Sequence, residues 1–200
     1  MVNDRSAPGR RILLGRLNAR MAEEPAWAGI RATGANFVPG DGPTFPRLMF
    51  VGEAPGKQED KARRPFVGAS GRLLTEMLES VGLRREDVYI TNVVKYRPDK
   101  FNRDPTDEER HAGLGWLRKE HRIIGRPPIV LLGKHARNYL TGVLAGHPVG
   151  KWLWMQWDGG YPVLPLHHPA RALYQASMRP LLFDQFKAVL APPQTRLECE

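Results

Sequence analysis

The sequence has a single cysteine, Cys199, and that excludes an internal disulfide and any site built on several cysteines of one chain. A reducing, cytoplasmic setting is the expectation that follows. Long apolar runs are also missing. No stretch approaches the roughly 20 residues of a membrane span, so no membrane partner is expected. The basic N-terminal stretch has only Ile12–Leu14 as an apolar patch, too short for a secretory segment. An ordinary solvated terminal helix accounts for it better than a transit peptide. Neither G-x-G-x-x-G nor G-x-x-x-x-G-K-[ST] occurs, so a nucleotide cofactor has no support. No cofactor and no metal are expected.

Basic residues are plentiful: 30 Lys and Arg against 21 Asp and Glu give a formal net charge of +9. Such an excess favours polyanions such as nucleic acid, although a basic protein with no such partner fits the charge equally well. At 200 residues, 42% of them hydrophobic, the chain is long enough for one domain with a real core.

The first 45 residues show no clear strand and close on the turn-rich "VPGDGPTFP". Strands and helices alternate after it. "RLMFV" (Arg47–Val51) reads as a buried strand. A helix follows, capped by Ser70, with Leu73, Leu74, Met77, Leu78 and Val81 on one face and Gly82 as its stop. "VYITNVV" (Val88–Val94) is a second, β-branched strand. Thr106 and Glu109 have capping-box spacing ahead of a helix running to about Ile124. "PIVLLG" is a third strand, with a short helix over about Lys134–Leu140. A fourth strand ends near Leu166, and a last helix covers about Pro180–Leu190.

This alternation predicts an α/β fold with a parallel sheet covered on both faces. Such sheets bind ligands beyond the carboxyl ends of their strands. Polar residues just past the strands are therefore candidates: Glu53, Asn92, Lys134, His135, His167 and His168. Glu53 lies in "GEAPG", where Gly and Pro stiffen the backbone and allow close approach of a ligand. Asn92 interrupts an apolar strand, either as a structural Asn bonding a neighbouring loop or because its amide offers the donor and acceptor that suit the edge of a nucleobase. Phe66 is either core or a stacking surface for a flat base. Arg63, Arg64, Lys95, Arg97 and Arg103 cluster near these loops, either as a solvated face or as phosphate contacts. Taken one by one, His111, His121, His135 and His147 fall in helices or loops and read as structural.

Together "VPGDGP", "GEAPG", "EDKARRPFVGASGRLL", "YITNVVKYRP", "NRDPT", "VLLGKHA" and "HHPA" resemble the uracil-DNA glycosylase superfamily, most closely its family-4 branch, from about Val38 to Leu190. The resemblance implies a three-layer α/β/α sandwich around a four-stranded parallel sheet. It implies a domain over 38–191, with an N-terminal extension 1–37 and a tail 192–200. It implies an enzyme acting as a monomer that flips uracil from DNA, hydrolyses the N-glycosidic bond and releases free uracil. The implied catalytic residues are Glu53, Glu59, Asn92, Asn102 and His168. Gly52, Glu53, Ala54, Gly56, Phe66, Asn92 and His168 would contact uracil. Arg63, Arg64, Lys95, Arg97, Arg103, Lys134 and Arg171 would contact DNA.

Three departures qualify the resemblance. Family-4 enzymes typically hold a [4Fe–4S] cluster on four cysteines; here Tyr96 and Gly113 stand at two of those places, and no cysteine precedes Leu48. Packing by Trp27, Tyr96 and Trp116 is expected to join those segments instead. Gly56 stands where another branch carries a tyrosine that blocks the thymine methyl, so thymine exclusion rests on other contacts. The relative that is trapped covalently on uracil-DNA has an inserted basic loop with a reactive histidine, whereas "VVKYRPDKFNRDPT" is short and has none, which points to hydrolytic turnover. A non-catalytic or product-retaining binder, or a glycosylase of broader base range, remains the alternative.

Overall fold

The computed structural model describes residues 7–99, 101, 103–141, 148–156 and 159–190. Its strands are β1 (Met49–Gly52), β2 (Tyr89–Asn92), β3 (Ile129–Leu132), β4 (Leu153–Met155) and β5 (Tyr161–Leu166). The helices are α1 (Ala7–Ala22), α2 (Ala28–Ala32), α3 (Lys57–Ala62), α4 (Ala69–Glu79), α5 (Asp107–Ile123), α6 (Gly133–Thr141), α7 (Arg171–Tyr174) and α8 (Arg179–Phe186).

The sheet runs β2-β1-β3-β5-β4, with β2, β1, β3 and β5 parallel. The expected four-stranded parallel sheet is there, and a fifth strand extends it. This β4 pairs antiparallel with β5 at the edge. Its three residues are all half-buried, so the sequence has no in–out alternation to reveal it. The inner strands β1 and β3 are buried at every position, as parallel strands covered on both faces must be.

Side chains alternate across the sheet and build two cores. Met49, Val51, Ile129 and Leu131 face a cluster with Leu17, Met21, Trp27 and Leu117 from α1, the segment after it and α5. Phe50, Val130, Leu132 and Leu164 face the other cluster with Leu74, Met77, Leu78, Leu182 and Phe186 from α4 and α8. Helices thus cover both faces in a three-layer sandwich.

Of the two cap signals in the sequence, one forms and the other does not. Thr106 accepts from Glu109 N, and the Glu109 carboxylate accepts from Thr106 N at 2.7 Å, closing the capping box at the start of α5. Ser70 is not a cap: Gly68 holds that place, and Ser70 lies inside α4. The terminal helix α1 is more than a solvated extension, because it buries Leu14, Leu17 and Met21.

Candidate active site

β1 is the switch point of the sheet: its crossover leads through α4 on one face, while β3, its neighbour, leads into α6 on the other. The loops after β1 and β3 therefore diverge and leave a crevice at the carboxyl edge.

Gly52 ends β1 in register with Asn92 at the end of β2. A Cβ on Gly52 would collide with Asn92 Oδ1 and lie 2.7 Å from Phe66 Cζ. The missing side chain thus lets an amide and an aromatic ring meet over bare backbone. Asn92 is only 3% exposed, at the end of a strand that is buried throughout. An amide in so buried a place favours a ligand that matches its donor and its acceptor, because a mismatch would leave a polar group unpaired.

Phe66 is held in a left-handed backbone conformation (φ 52°), which an aromatic residue rarely adopts unaided. Its carbonyl accepts from Arg85 Nη1 at 2.9 Å, and Pro65 O accepts from Arg85 Nη2 at 2.5 Å. Glu59 Oε1 accepts from Val67 N and Gly68 N at 3.0 and 2.7 Å. Glu59 is therefore a clamp on the loop that presents Phe66. Its other oxygen fills the space beside Gly56, where a Cβ would come within 2.8 Å of it.

The His168 ring packs against Phe66 with centroids 5.7 Å apart, at the end of β5. Gly133, at φ 95°, passes directly beneath it; a Cβ there would lie 3.0 Å from His168 Cβ. Burial lowers the His168 pKa to about 4, so the ring is neutral near pH 7. Its Nδ1 accepts from Ala170 N at 3.1 Å, which leaves the single proton on Nε2. The histidine is thus a neutral donor.

Glu53 lies at the opposite side of the crevice. Its Oε1 accepts from the Tyr139 hydroxyl at 2.8 Å and lies 3.5 Å from His135 Nδ1. Burial, the largest influence, raises its pKa, and the Tyr139 hydrogen bond opposes that rise. Glu53, Asp104 and His135 also form the one trio of potential metal-ligating groups among the described residues, with donor atoms within 4.8 Å of one another.

The cations divide sharply. Lys95 cannot touch phosphate as the sequence suggested: it is fully buried, paired with Glu120 at 2.8 Å and bonded to Thr91. Arg103 forks onto Glu109 at 2.9 and 2.7 Å, and Arg97 is half-buried. Arg63 and Arg64 are exposed but engaged, with Asn36 and Asp41. Lys134 and Arg171 are exposed and line a cavity of about 330 Å³ together with Arg137, His167 and His168. Ala54 packs against the core, and Asn102 lies outside the described residues. Sequence reasoning missed Arg85 and Tyr139. Only the spacing of His135 and Tyr139, four apart on one helical face, hinted at the latter.

An iron–sulfur cluster of the family-4 type does not fit. At Gly113, a Cβ would lie 2.5 Å from Val93 O, against backbone that cannot yield. Tyr96 packs edge-on to Trp27 (centroids 5.9 Å) and against Phe37 (5.6 Å), and its hydroxyl donates to Ala22 O at 2.9 Å. Trp27 Nε1 donates to Glu109 O at 3.0 Å, and Trp116 Nε1 to Glu24 at 2.7 Å. Aromatic and hydrogen-bonded packing joins the segments that cluster ligands would bridge.

Residues 39–191 match the family model described as Uracil DNA glycosylase superfamily. Among curated proteins, the chain is 43% identical to a type-4 uracil-DNA glycosylase of Sulfurisphaera tokodaii, covering 77% of this chain and 73% of that one. It is 41% identical to one of Archaeoglobus fulgidus (80% and 83% covered) and 44% identical to one of Thermotoga maritima (71% and 74% covered).

Proposed function

The chain belongs to the uracil-DNA glycosylase superfamily, and from that premise we propose that it flips uracil out of DNA and hydrolyses its N-glycosidic bond, leaving an abasic site. The observation that carries the assignment of residues is the meeting of Asn92, Phe66 and His168 around side-chain-free Gly52.

An extruded base must be bought out of its stack, and a U·G mismatch gives way more readily than a sound pair. Phe66 supplies the face on which uracil stacks. The Asn92 amide accepts from N3–H and donates to O4, and a base with the opposite pattern leaves it buried and unpaired. As the glycosidic bond breaks, electrons move to the base and negative charge grows at O2, while the sugar becomes cationic. The Nε2–H of neutral His168 faces that charge without having to lose its own proton. Glu53, ionised, orients the water that attacks the sugar carbon and offsets the sugar's positive character. Glu59 does not share that task; it holds the loop carrying Phe66. Lys134 and Arg171 take the phosphates.

The proposed product is free uracil, and the proposed acting form is a monomer. Among the described residues no helix is long and apolar enough to cross a membrane. The single cysteine accords with a reducing, cytoplasmic setting.

Release of free uracil from a uracil-containing oligonucleotide is the test. Wild-type chain should release it, and Asn92→Ala should not. Tight retention of abasic DNA with no released uracil would instead identify a non-catalytic binder. Equal release of hypoxanthine or xanthine would show that the Asn92 pattern does not set the base range.

A further inference from the structure

Glu53 and Tyr139 are 86 residues apart in the chain, yet they share a 2.8 Å hydrogen bond across the crevice. The topology makes this possible. β1 delivers Glu53 and β3 delivers α6, and these neighbouring strands send their chains to opposite faces of the sheet. His135 and Tyr139, one turn apart on α6, then point back toward the end of β1.

A tyrosine hydroxyl has one proton, and an ionised carboxylate only accepts. With that proton given to Glu53, the Tyr139 oxygen can only accept from its other neighbours, His135 Nδ1 at 3.2 Å and the Arg110 guanidinium. The direction of the chain is thereby fixed: His135 Nδ1–H donates to Tyr139, and Tyr139 O–H donates to Glu53. Hydrogen bonds linked head to tail in this way polarise one another. Arg110, on α5, has its guanidinium 4.7 Å from the centre of the Tyr139 ring and also bonds its hydroxyl. Arg110 is itself anchored by Pro105 O at 2.5 Å and by an ion pair with Asp107.

We propose that Tyr139 is the positioning residue for Glu53, fixing its carboxylate toward the attacking water, with His135 setting the direction of the Tyr139 hydroxyl. This rests on the reading of Glu53 given above and extends it to a residue that touches neither base nor sugar. Four groups face the Glu53 carboxylate: Tyr139 and His135 from α6, Asp104 from the segment before α5, and Arg110 from α5. Burial and Asp104 favour the protonated acid; Tyr139, His135 and Arg110 favour the carboxylate. Removing the hydroxyl therefore loosens the side chain and raises its pKa at the same time.

Single-turnover uracil release across pH, with DNA affinity measured separately, tests the proposal. Tyr139→Phe should slow release about ten-fold, the weight of one hydrogen bond to a charged group, without weakening DNA binding. Its acid limb should move to higher pH, since Glu53 then ionises later. Glu53→Gln combined with Tyr139→Phe should be no slower than Glu53→Gln alone. His135→Ala, which keeps the hydroxyl but frees its direction, should move the acid limb the same way by less. A Tyr139→Phe profile that superimposes on wild type, or losses that multiply in the double variant, would overturn the proposal. If Glu53→Gln itself is as active as wild type, the assignment of Glu53 fails instead, so the two failures are told apart.

Discussion

Gly52 and Asn92 stand side by side at the ends of β1 and β2, and the glycine has no side chain because the asparagine amide and the Phe66 ring occupy its place. Gly52→Ala would push both groups outward by a few tenths of an ångström or more. A small misplacement of positioning groups can cost about 100-fold in rate. Uracil release by Gly52→Ala should fall on that order while its far-UV circular dichroism matches wild type. Wild-type turnover would mean that the amide and ring have slack to spare.

His168 should make the fold acid-sensitive. Its folded pKa, about 4, lies below the ordinary histidine value of about 6.5. Between those values the unfolded chain binds a proton that the folded chain refuses. Stability is thus full above about pH 6.5 and falls by at most about 3 kcal/mol as pH drops toward 4. Denaturant midpoints measured over that range should decline more shallowly for His168→Gln than for wild type.

Lys95 is a stability residue. Its removal leaves Glu120 buried beside Tyr89 and Thr91 with no cation, a loss of about 3–5 kcal/mol. Urea unfolding of Lys95→Ala should show that loss. The salt dependence of DNA binding separates it from the proposed phosphate contacts, Lys134 and Arg171. Folded Lys95→Ala should keep the wild-type slope, whereas Lys134→Ala and Arg171→Ala should each reduce it by about one.

Gly113 tests the fit of α5 against the end of β2. Alanine normally stabilises a helix interior by about 1 kcal/mol over glycine. Here its Cβ would lie 2.5 Å from Val93 O, and overpacking of that kind costs about 1–3 kcal/mol. Gly113→Ala should therefore melt below wild type. The purified chain should also be colourless and free of iron, as metal analysis would show; stoichiometric iron would contradict the packing around Tyr96.

What could be read in the sequence were features whose cause is local. The Thr106–Glu109 box and the buried run of β3 each depend on neighbours within a few residues. Strand-end logic then gathered Glu53, Asn92 and His168 at one rim, because a parallel sheet puts every carboxyl end on the same edge. Lys95 misled for the opposite reason. "VVKYRP" looks like a basic surface loop, and its partner Glu120 comes from α5, 25 residues away. The edge strand β4 was missed because three half-buried residues carry no pattern.

By itself, then, the sequence determined the α/β layering, the rim and the residue types that suit a flipped uracil, since periodicity and strand-end chemistry are written in consecutive residues. Only the tertiary structure separated the two glutamates. Glu59 turns inward to two backbone amides of its own loop, while Glu53 is met by Tyr139 from across the switch point. Hydrogen-bond partners brought together by strand order leave no local trace, because the sheet, and not the spacing along the chain, sets their distance.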